Sequence, residues 1–223
     1  MQALVWNRCD SAALALDDGG LHLWMIALEH PPEGAASLLC GDEKERLKRF
    51  RHTGERRRFL AARGQLRLIL ARYLGCSAAA ISFAYGPKGK PGIADPSAGL
   101  HFSLSHSGEL ALLAIADTAI GVDLEPIRAR HRERALARRI LDPTTLHRLE
   151  RLGNDSEHTE HFLREWTRLE ARVKAAGAGL FDHPPWVKDL PTQSFVPTEG
   201  WIGAVAAQRP LPPPRAWRTW SEL

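Results

Sequence analysis

The chain has 223 residues, of which 44% are hydrophobic and 25% are charged, so it is long and apolar enough to fold around its own core. This balance excludes an intrinsically disordered chain, and the apolar runs are too short to cross a membrane. The net charge of +4 is unevenly distributed, since residues 41–72 carry eleven Lys or Arg against four Asp or Glu, and residues 127–151 carry eight against three. Two basic segments in an otherwise acidic chain indicate an anionic partner or, equally, a solvated basic helix face.

The cysteines and the first residues bear on the cell compartment. Cys9, Cys40 and Cys76 are odd in number and far apart, which argues against a disulfide framework or a zinc site. The first residues lack the basic stretch followed by a long apolar one that marks a secretory signal. We therefore expect a reducing, cytoplasmic location.

Apolar periodicity and turn residues predict the elements of the first half. Residues 21–28 form a strand candidate, residues 42–50 a short basic helix, and residues 56–74 a longer helix that ends before Gly75. The glycines and prolines of residues 85–92 predict a loop, because they exclude both a helix and a central strand.

Seven more elements are predicted after this loop. The strands are residues 100–104, 110–116, 120–124, 201–207 and 216–220, and the helices are residues 134–141 and 157–176. The first three strands are joined by short turns, which predicts an antiparallel meander, and the first helix stops before Pro143. Runs of strands flanked by helices favour an α+β fold over a doubly wound parallel sheet.

A pair of acidic residues marks the third strand of the meander. Asp123 and Glu125 point to the same face because side chains alternate along a strand. Two neighbouring carboxylates repel unless a cation or a proton separates them, and hard oxygen ligands suit Mg²⁺. An acidic pair on a solvent-exposed edge strand remains the simpler alternative.

The long helix near residue 170 carries a second group of charged residues. Glu170 and Lys174 lie four residues apart, beside a predicted buried stripe. The stripe consists of Phe162, Trp166, Leu169 and Val173. The two charges could form an ordinary surface pair, or Glu170 could complete a three-carboxylate metal site with Asp123 and Glu125.

Two further segments suit phosphate binding. Ser105 and His106 follow one another at the end of a predicted strand, where a histidine can donate a hydrogen bond to a phosphate. Lys90 follows a flexible glycine and supplies a point charge, although the spacing is not that of a Walker loop. Ordinary surface turns would account for both segments equally simply.

Four motifs occur in order along the chain. They are Gly-Lys-Pro at 89–91, Phe-Ser-Leu-Ser-His-Ser at 102–107, Gly-Val-Asp-Leu-Glu at 121–125 and Trp-Thr-x-x-Glu-Ala-x-x-Lys-x-x-Gly at 166–177. Together they resemble the 4′-phosphopantetheinyl transferases of the two-lobed, monomeric Sfp type. The resemblance implies an α+β fold of two similar lobes related by pseudo-twofold symmetry, each with a long helix packed on a small antiparallel sheet.

The resemblance also implies a division of labour and a reaction. Residues 1–118 would form the lobe that contacts the nucleotide and phosphates of coenzyme A, and residues 119–223 the lobe with the metal site and the Glu170 helix. The reaction would move the 4′-phosphopantetheine arm of coenzyme A onto a serine of an acidic apo acyl or peptidyl carrier protein, with Mg²⁺, and release 3′,5′-ADP. No nucleic-acid or membrane partner is expected.

Site residues follow from the same resemblance. The residues matched as ligands of Mg²⁺, with Mn²⁺ as the alternative ion, are Asp123, Glu125 and Glu170. The residues matched as coenzyme A contacts are Arg46, Arg58, Lys90, Pro91, Ser105, His106 and Lys174. Glu170 and Lys174 match the catalytic pair considered for proton removal and pyrophosphate contact, with a metal-held water as the other candidate base.

One departure and three alternatives accompany the resemblance. The family usually has Lys directly before the helix Glu, whereas this chain has Leu169, which could shift the missing charge to Arg168 or Arg172. The alternatives are a nucleic-acid-binding module, a catalytically weak or silent relative that only binds carrier proteins, and a metal site at His158 and His161. Asp123, Glu125, Glu170 and Lys174 are all present, which argues against a silent relative.

Overall fold

The structure is a computed structural model that describes residues 1–129 and 133–222. The strands within those residues are β1 (Gln2–Ala3), β2 (Leu21–Ala27), β3 (Phe83–Tyr85), β4 (Pro91–Ile93), β5 (His101–Ser107), β6 (Leu110–Ala116), β7 (Ile120–Pro126), β8 (Thr192–Val196), β9 (Trp201–Ala207) and β10 (Arg218–Glu222). The α-helices are α1 (Ala35–Leu38), α2 (Gly41–Arg49), α3 (Thr53–Leu74), α4 (Glu133–Ile140), α5 (Pro143–Glu150) and α6 (Asp155–Ala176). The predicted α+β class is confirmed.

Two four-stranded sheets of matching build form the centre of the fold. The first sheet has the order β10-β2-β6-β5 and the second has the order β1-β8-β9-β7. In each sheet one terminal strand pairs in parallel and the other two pairings are antiparallel. Each sheet is covered by one 22-residue helix, α3 or α6. The result is the two-lobed arrangement that the motifs predicted.

The chain termini cross between the two sheets. Strand β1, at the start of the chain, pairs with β8 in the second sheet, and β10, at the end, pairs with β2 in the first. Each sheet therefore contains a strand from the far end of the chain, and the crossing ties the lobes together. The division of functions at residues 118 and 119 stays a prediction.

Strand alternation separates the cores. Along β2, Trp24 and Ile26 pack under α3, whereas Leu21 and Leu23 point to the second sheet. The residues of the second sheet that meet them include Val122 on β7, so the sheets share a core between them. The helices thus lie on the outer faces of two facing sheets. No helix in the described part of the chain is long and apolar enough to span a bilayer.

Most predicted elements are confirmed within three residues, but the meander is wrong at its third strand. Strands β5 and β6 pair as predicted, whereas β7 pairs with β9 in the second sheet. The reason is that both edges of β6 are already occupied, by β2 and β5. The predicted stop before Pro143 is correct, but a new helix begins there, because Asp142 accepts hydrogen bonds from the amides of Thr144 and Thr145.

The buried face of α6 also differs from the predicted stripe. Phe162 and Val173 are buried, but Trp166 and Leu169 are only half-buried. The buried positions that alternate with them are Leu163, Thr167, Ala171 and Ala175. Small residues carry this face because α6 approaches β7 closely. A Cβ atom at Gly121 would fall within 3 Å of three backbone atoms of the helix.

Candidate active site

The close approach of α6 to β7 brings Lys174 against Asp123. The Lys174 Nζ lies 2.7 Å from Asp123 Oδ1 and also donates to Ser105 Oγ at 3.0 Å and to the carbonyl of Val122 at 3.2 Å. Asp123 is only 4% exposed, so this ion pair is largely removed from solvent. The second oxygen of the carboxylate, Oδ2, is buried and has no hydrogen-bond partner among residues 1–129 and 133–222. The site therefore offers a charged oxygen with unused bonding capacity.

Glu125, the second acid of the strand, accepts hydrogen bonds from two neutral side chains within the described part of the chain. Ser107 donates to Glu125 Oε2 at 3.1 Å, and the Trp166 indole donates to Glu125 Oε1 at 3.2 Å. Trp166 comes from α6 and Ser107 from β5, so both lobes orient this carboxylate. Asp123 and Glu125 share a face of β7 as predicted.

Alternate serines of β5 connect the first sheet to β7. Ser103 Oγ accepts from the amide of Val122 at 3.1 Å, Ser105 donates to Asp123 Oδ1 at 2.8 Å, and Ser107 donates to Glu125. Residues two apart on a strand share a face, which explains why all three reach the same neighbour. The structure thus puts Ser105 beside the acidic pair, whereas the resemblance matched it to the nucleotide.

Glu170 lies in a different part of the candidate site from Asp123. It lines a cavity of about 450 Å³ together with Lys90, Pro91 and Lys174, where the loop before β4 meets α6. The Lys90 ammonium donates to two backbone carbonyls, of Ile120 at 2.6 Å and of Lys174 at 2.7 Å. Burial, and then the positive charge of Lys174, lower the pKa of Lys90 to about 8.

The remaining predicted contacts form a cationic cavity on the other face of β5. Arg46, Arg58 and His106 line about 490 Å³, together with the rings of Phe50 and Phe59. Burial lowers the pKa of His106, and the positive charges of Lys174, Arg46 and Arg58 lower it further. His106 is therefore surrounded by cations, an arrangement that suits an anionic ligand.

Buried and partly buried carboxylates position the two arginines. Glu43 on α2 is buried and bonds to Arg63 and Arg67 on α3, which fixes the helix that carries Arg46. Arg58 donates to Glu109 Oε1 at 2.8 Å, in the turn between β5 and β6. The guanidinium of Arg58 is thus held at the mouth of the cavity by a partner that an incoming anion could replace.

The three predicted metal ligands are not gathered around one point. Over residues 1–129 and 133–222, no group of three or more His, Cys, Asp or Glu side chains is arranged to hold a metal ion. Lys174 instead occupies one oxygen of Asp123. The unpartnered Asp123 Oδ2 and the oxygen-only donor set nevertheless fit a hard divalent ion. The assignment of these three ligands stays a prediction.

Leu169, at the position where the family usually has Lys, lies beside apolar side chains. Leu169 is half-buried and lines a cavity of about 320 Å³ with Ile140, Leu180 and Phe181. Arg172 donates to Thr192 Oγ1 at 2.8 Å on β8, and Arg168 lies 3.8 Å from Glu165. Neither arginine is among the residues that line the Glu170 cavity. The suggestion that one of them replaces the missing lysine charge is therefore not supported.

Comparison with known proteins gives the family. Residues 119–221 match the model described as "4'-phosphopantetheinyl transferase superfamily", and residues 27–118 match "4'-phosphopantetheinyl transferase, N-terminal". The 4′-phosphopantetheinyl transferase HetI of Nostoc sp. is 41% identical over 173 residues, which cover 75% of this chain and 73% of HetI. The chain belongs to the 4′-phosphopantetheinyl transferase family. It is an enzyme of this class, as the motifs predicted.

Two other relatives have a lower identity to this chain. A putative 4′-phosphopantetheinyl transferase of Synechocystis sp. is 34% identical over 161 residues, which cover 71% of this chain and 65% of the relative. The 4′-phosphopantetheinyl transferase Sfp of Bacillus subtilis is 29% identical over 177 residues, which cover 79% of this chain and 73% of Sfp. The predicted resemblance to the Sfp type is confirmed.

The sequence analysis did not identify several residues that hold the candidate site residues in place. Ser103 and Ser107 connect β5 to β7, Trp166 orients Glu125, and Glu109 holds Arg58. The serines had a detectable signal, because their spacing of two places them on one face of a predicted strand. Trp166 belongs to a motif, but nothing local indicated its contact with Glu125 or that of Glu109 with Arg58, since these partners are 41 and 51 residues apart in the chain.

Proposed function

We propose that this enzyme transfers the 4′-phosphopantetheine group from coenzyme A to a serine hydroxyl of an apo acyl or peptidyl carrier protein and releases 3′,5′-ADP. The proposal rests mainly on two consecutive residues of β5. Ser105 faces Asp123 and Lys174, whereas His106 lines the cationic cavity with Arg46 and Arg58. One strand thus connects a cationic cavity to an acidic site.

The cationic cavity is the proposed binding region for the phosphates of coenzyme A. Arg46 and Arg58 carry guanidinium groups, which match phosphate oxygens in geometry. Arg58 would exchange Glu109 for a phosphate oxygen. His106 would gain a proton as the anion approaches, because a nearby negative charge raises the pKa of an imidazole. With these contacts, the first basic segment (residues 41–72) would bind a small anionic ligand and not a nucleic acid.

Lys174 is the proposed cation for the pyrophosphate. Its ammonium lies at the junction of β5, β7 and α6, bonded to Asp123 and Ser105. Asp123, Glu125 and Glu170 are the residues proposed to hold Mg²⁺, or Mn²⁺ in its place. Lys174 would first leave Asp123 and contact the pyrophosphate. When bound, the ion supplies Lewis-acid stabilisation of the charge that grows on the leaving oxygen.

The transfer itself breaks a phosphoanhydride bond and forms a phosphodiester bond. The carrier serine oxygen forms a bond to the β-phosphorus of coenzyme A, and the bond from that phosphorus to the bridging oxygen of 3′,5′-ADP breaks. The serine is neutral, so a base must accept its proton. We assign this role to Glu170, which lies one helical turn before Lys174 and lines the same cavity.

The second basic segment is the proposed contact for the carrier protein. Arg134, Arg138 and Arg139 belong to α4, and the first two have side chains about two-thirds exposed. Positive charge on this helix would steer an acidic carrier towards the cleft. We also propose that the enzyme acts as a monomer in the cytoplasm.

Mass spectrometry of carrier proteins tests the function. Several apo acyl and peptidyl carriers are incubated with the enzyme, coenzyme A and Mg²⁺, and we expect at least one to gain the mass of one phosphopantetheine group with release of 3′,5′-ADP. Asp123→Asn should abolish most of the transfer, whereas Asp10→Asn, at a side chain 83% exposed, should not. No mass gain on any carrier would refute the proposal.

A further inference from the structure

The Lys90 ammonium connects two elements of the opposite lobe. Its Nζ donates to the carbonyl of Ile120, the first residue of β7, and to the carbonyl of Lys174, in the last turn of α6. Both distances are short, at 2.6 and 2.7 Å. A side chain from the loop before β4 thus bridges the helix and the strand that carry the candidate site.

The contact at Lys174 acts on the end of the helix. The carbonyls of a last helical turn lack intrahelical partners, and a cation near them also interacts favourably with the helix dipole. The carbonyl of Lys174 receives the amide of Gly177 at 3.2 Å in addition to Lys90. Lys90 therefore fixes the backbone of the residue whose own side chain reaches Asp123.

The environment of Lys90 agrees with a fixed role. Burial makes an ammonium costly unless its hydrogen bonds are satisfied, and two of the three donors of Lys90 are taken by carbonyls. The lowered pKa of Lys90, due first to burial and then to Lys174, reflects the same loss of solvent. An ammonium held in this way has little freedom to follow a nucleotide.

We propose that Lys90 is a positioning residue that clamps α6 to β7 and so holds the Lys174 ammonium in register with Asp123. The proposal deepens the proposed function and rests on it for its catalytic consequence. The clamp itself does not require the reaction. It differs from the role that the family resemblance gives Lys90, in which this residue contacts the nucleotide directly.

Steady-state kinetics separates the two roles. Lys90→Met keeps most of the side-chain length and removes every donor, so we expect kcat for transfer to fall by about tenfold to 100-fold, because a misplacement of about 1 Å is enough for such a loss. The KM for coenzyme A should stay within about threefold, because substrate binding is not the lost interaction. Lys188→Met, at an exposed lysine, is the matched control. A KM raised tenfold or more with kcat unchanged would overturn the proposal in favour of nucleotide contact.

Hydrogen exchange tests the clamp without any activity. In Lys90→Met, the amides of residues 120–124 and 171–178 should exchange faster than in wild type or in Lys188→Met, because the contact joining β7 and α6 is lost. If Lys90→Met does not fold, Lys90→Gln, which retains donors on a shorter stem, carries both measurements. Unchanged exchange would contradict the clamp, whereas a wild-type enzyme without transfer activity would refute only the proposed function.

Discussion

The substitution Gly121→Ala tests whether the close approach of α6 to β7 builds the site. An added Cβ would meet three backbone atoms of α6, namely the carbonyl oxygen of Ala171, the amide nitrogen of Ala175 and the carbonyl carbon of Lys174. The closest of these is the Ala171 oxygen, at 2.0 Å. A Cβ atom essentially never lies within 3.0 Å of another heavy atom, so the helix must withdraw by at least about 1 Å.

The consequences of this shift can be estimated. Overpacking of this kind costs typically about 1–3 kcal/mol, and the backbone on both sides cannot rotate away, so we expect a loss near 3 kcal/mol in the free energy of unfolding. Lys174 moves with the helix, so its 2.7 Å bond to Asp123 lengthens. Misplacement on this scale should lower kcat by about 100-fold.

Urea unfolding and the carrier-protein transfer assay measure the two effects. Gly153→Ala is the matched control, because a Cβ there meets nothing within 4 Å. The control should unfold at a similar urea concentration to wild type and retain its transfer rate. A Gly121→Ala enzyme with wild-type stability and kcat would refute the reasoning that a glycine is needed for this contact.

Three further predictions concern protons and phosphate contacts. Burial, and then the positive charge of Arg218, lower the pKa of His22 to about 4, so the unfolded chain binds a proton more readily than the folded one. The free energy of unfolding should therefore fall by about 3 kcal/mol as the pH drops from 6.5 to 4. Urea unfolding of His22→Asn should lack this component, and an identical pH profile would contradict it. Binding of coenzyme A should be accompanied by proton uptake at His106, which calorimetry in buffers of different ionisation enthalpy measures. The His106→Asn enzyme should lack this uptake, and equal uptake in the wild-type and variant enzymes would contradict the assignment. Arg58→Ala should raise the Kd for coenzyme A by about tenfold with kcat nearly unchanged, and a loss confined to kcat would argue against a phosphate contact.

The sequence predicts the elements of the fold well where their signals are local. The helix that ends at Gly75 and the strand with Asp123 and Glu125 follow from periodicity and turn residues within a single window. The sheet that β7 joins does not, because that choice depends on which edges other strands have already occupied. The start of α5 at Pro143 had a local signal, an aspartate before a proline, that also marks a helix N-terminus.

The motif residues of the candidate site can be recognised in the sequence, but their contacts cannot. Asp123, Glu170 and Lys174 are recognisable from motif spacing, yet their neighbours come from three elements that only the fold brings together. The buried face of α6 illustrates the limit, since Thr167 and Ala171 carry the close contact and large apolar residues do not. Small residues give a weak hydrophobic signal, so a stripe of larger side chains is predicted in their place.

Binding of Mn²⁺ tests the account most directly, because its central feature is the buried Asp123 oxygen that has no hydrogen-bond partner among the described residues. Titration of the wild-type enzyme with Mn²⁺ in the presence of coenzyme A, followed by electron paramagnetic resonance, should show one bound ion. Asp123→Asn, which removes the charge and keeps the shape, should weaken that binding by about 100-fold while leaving the Kd for coenzyme A without metal unchanged. Equal Mn²⁺ affinity in the two proteins would contradict the account.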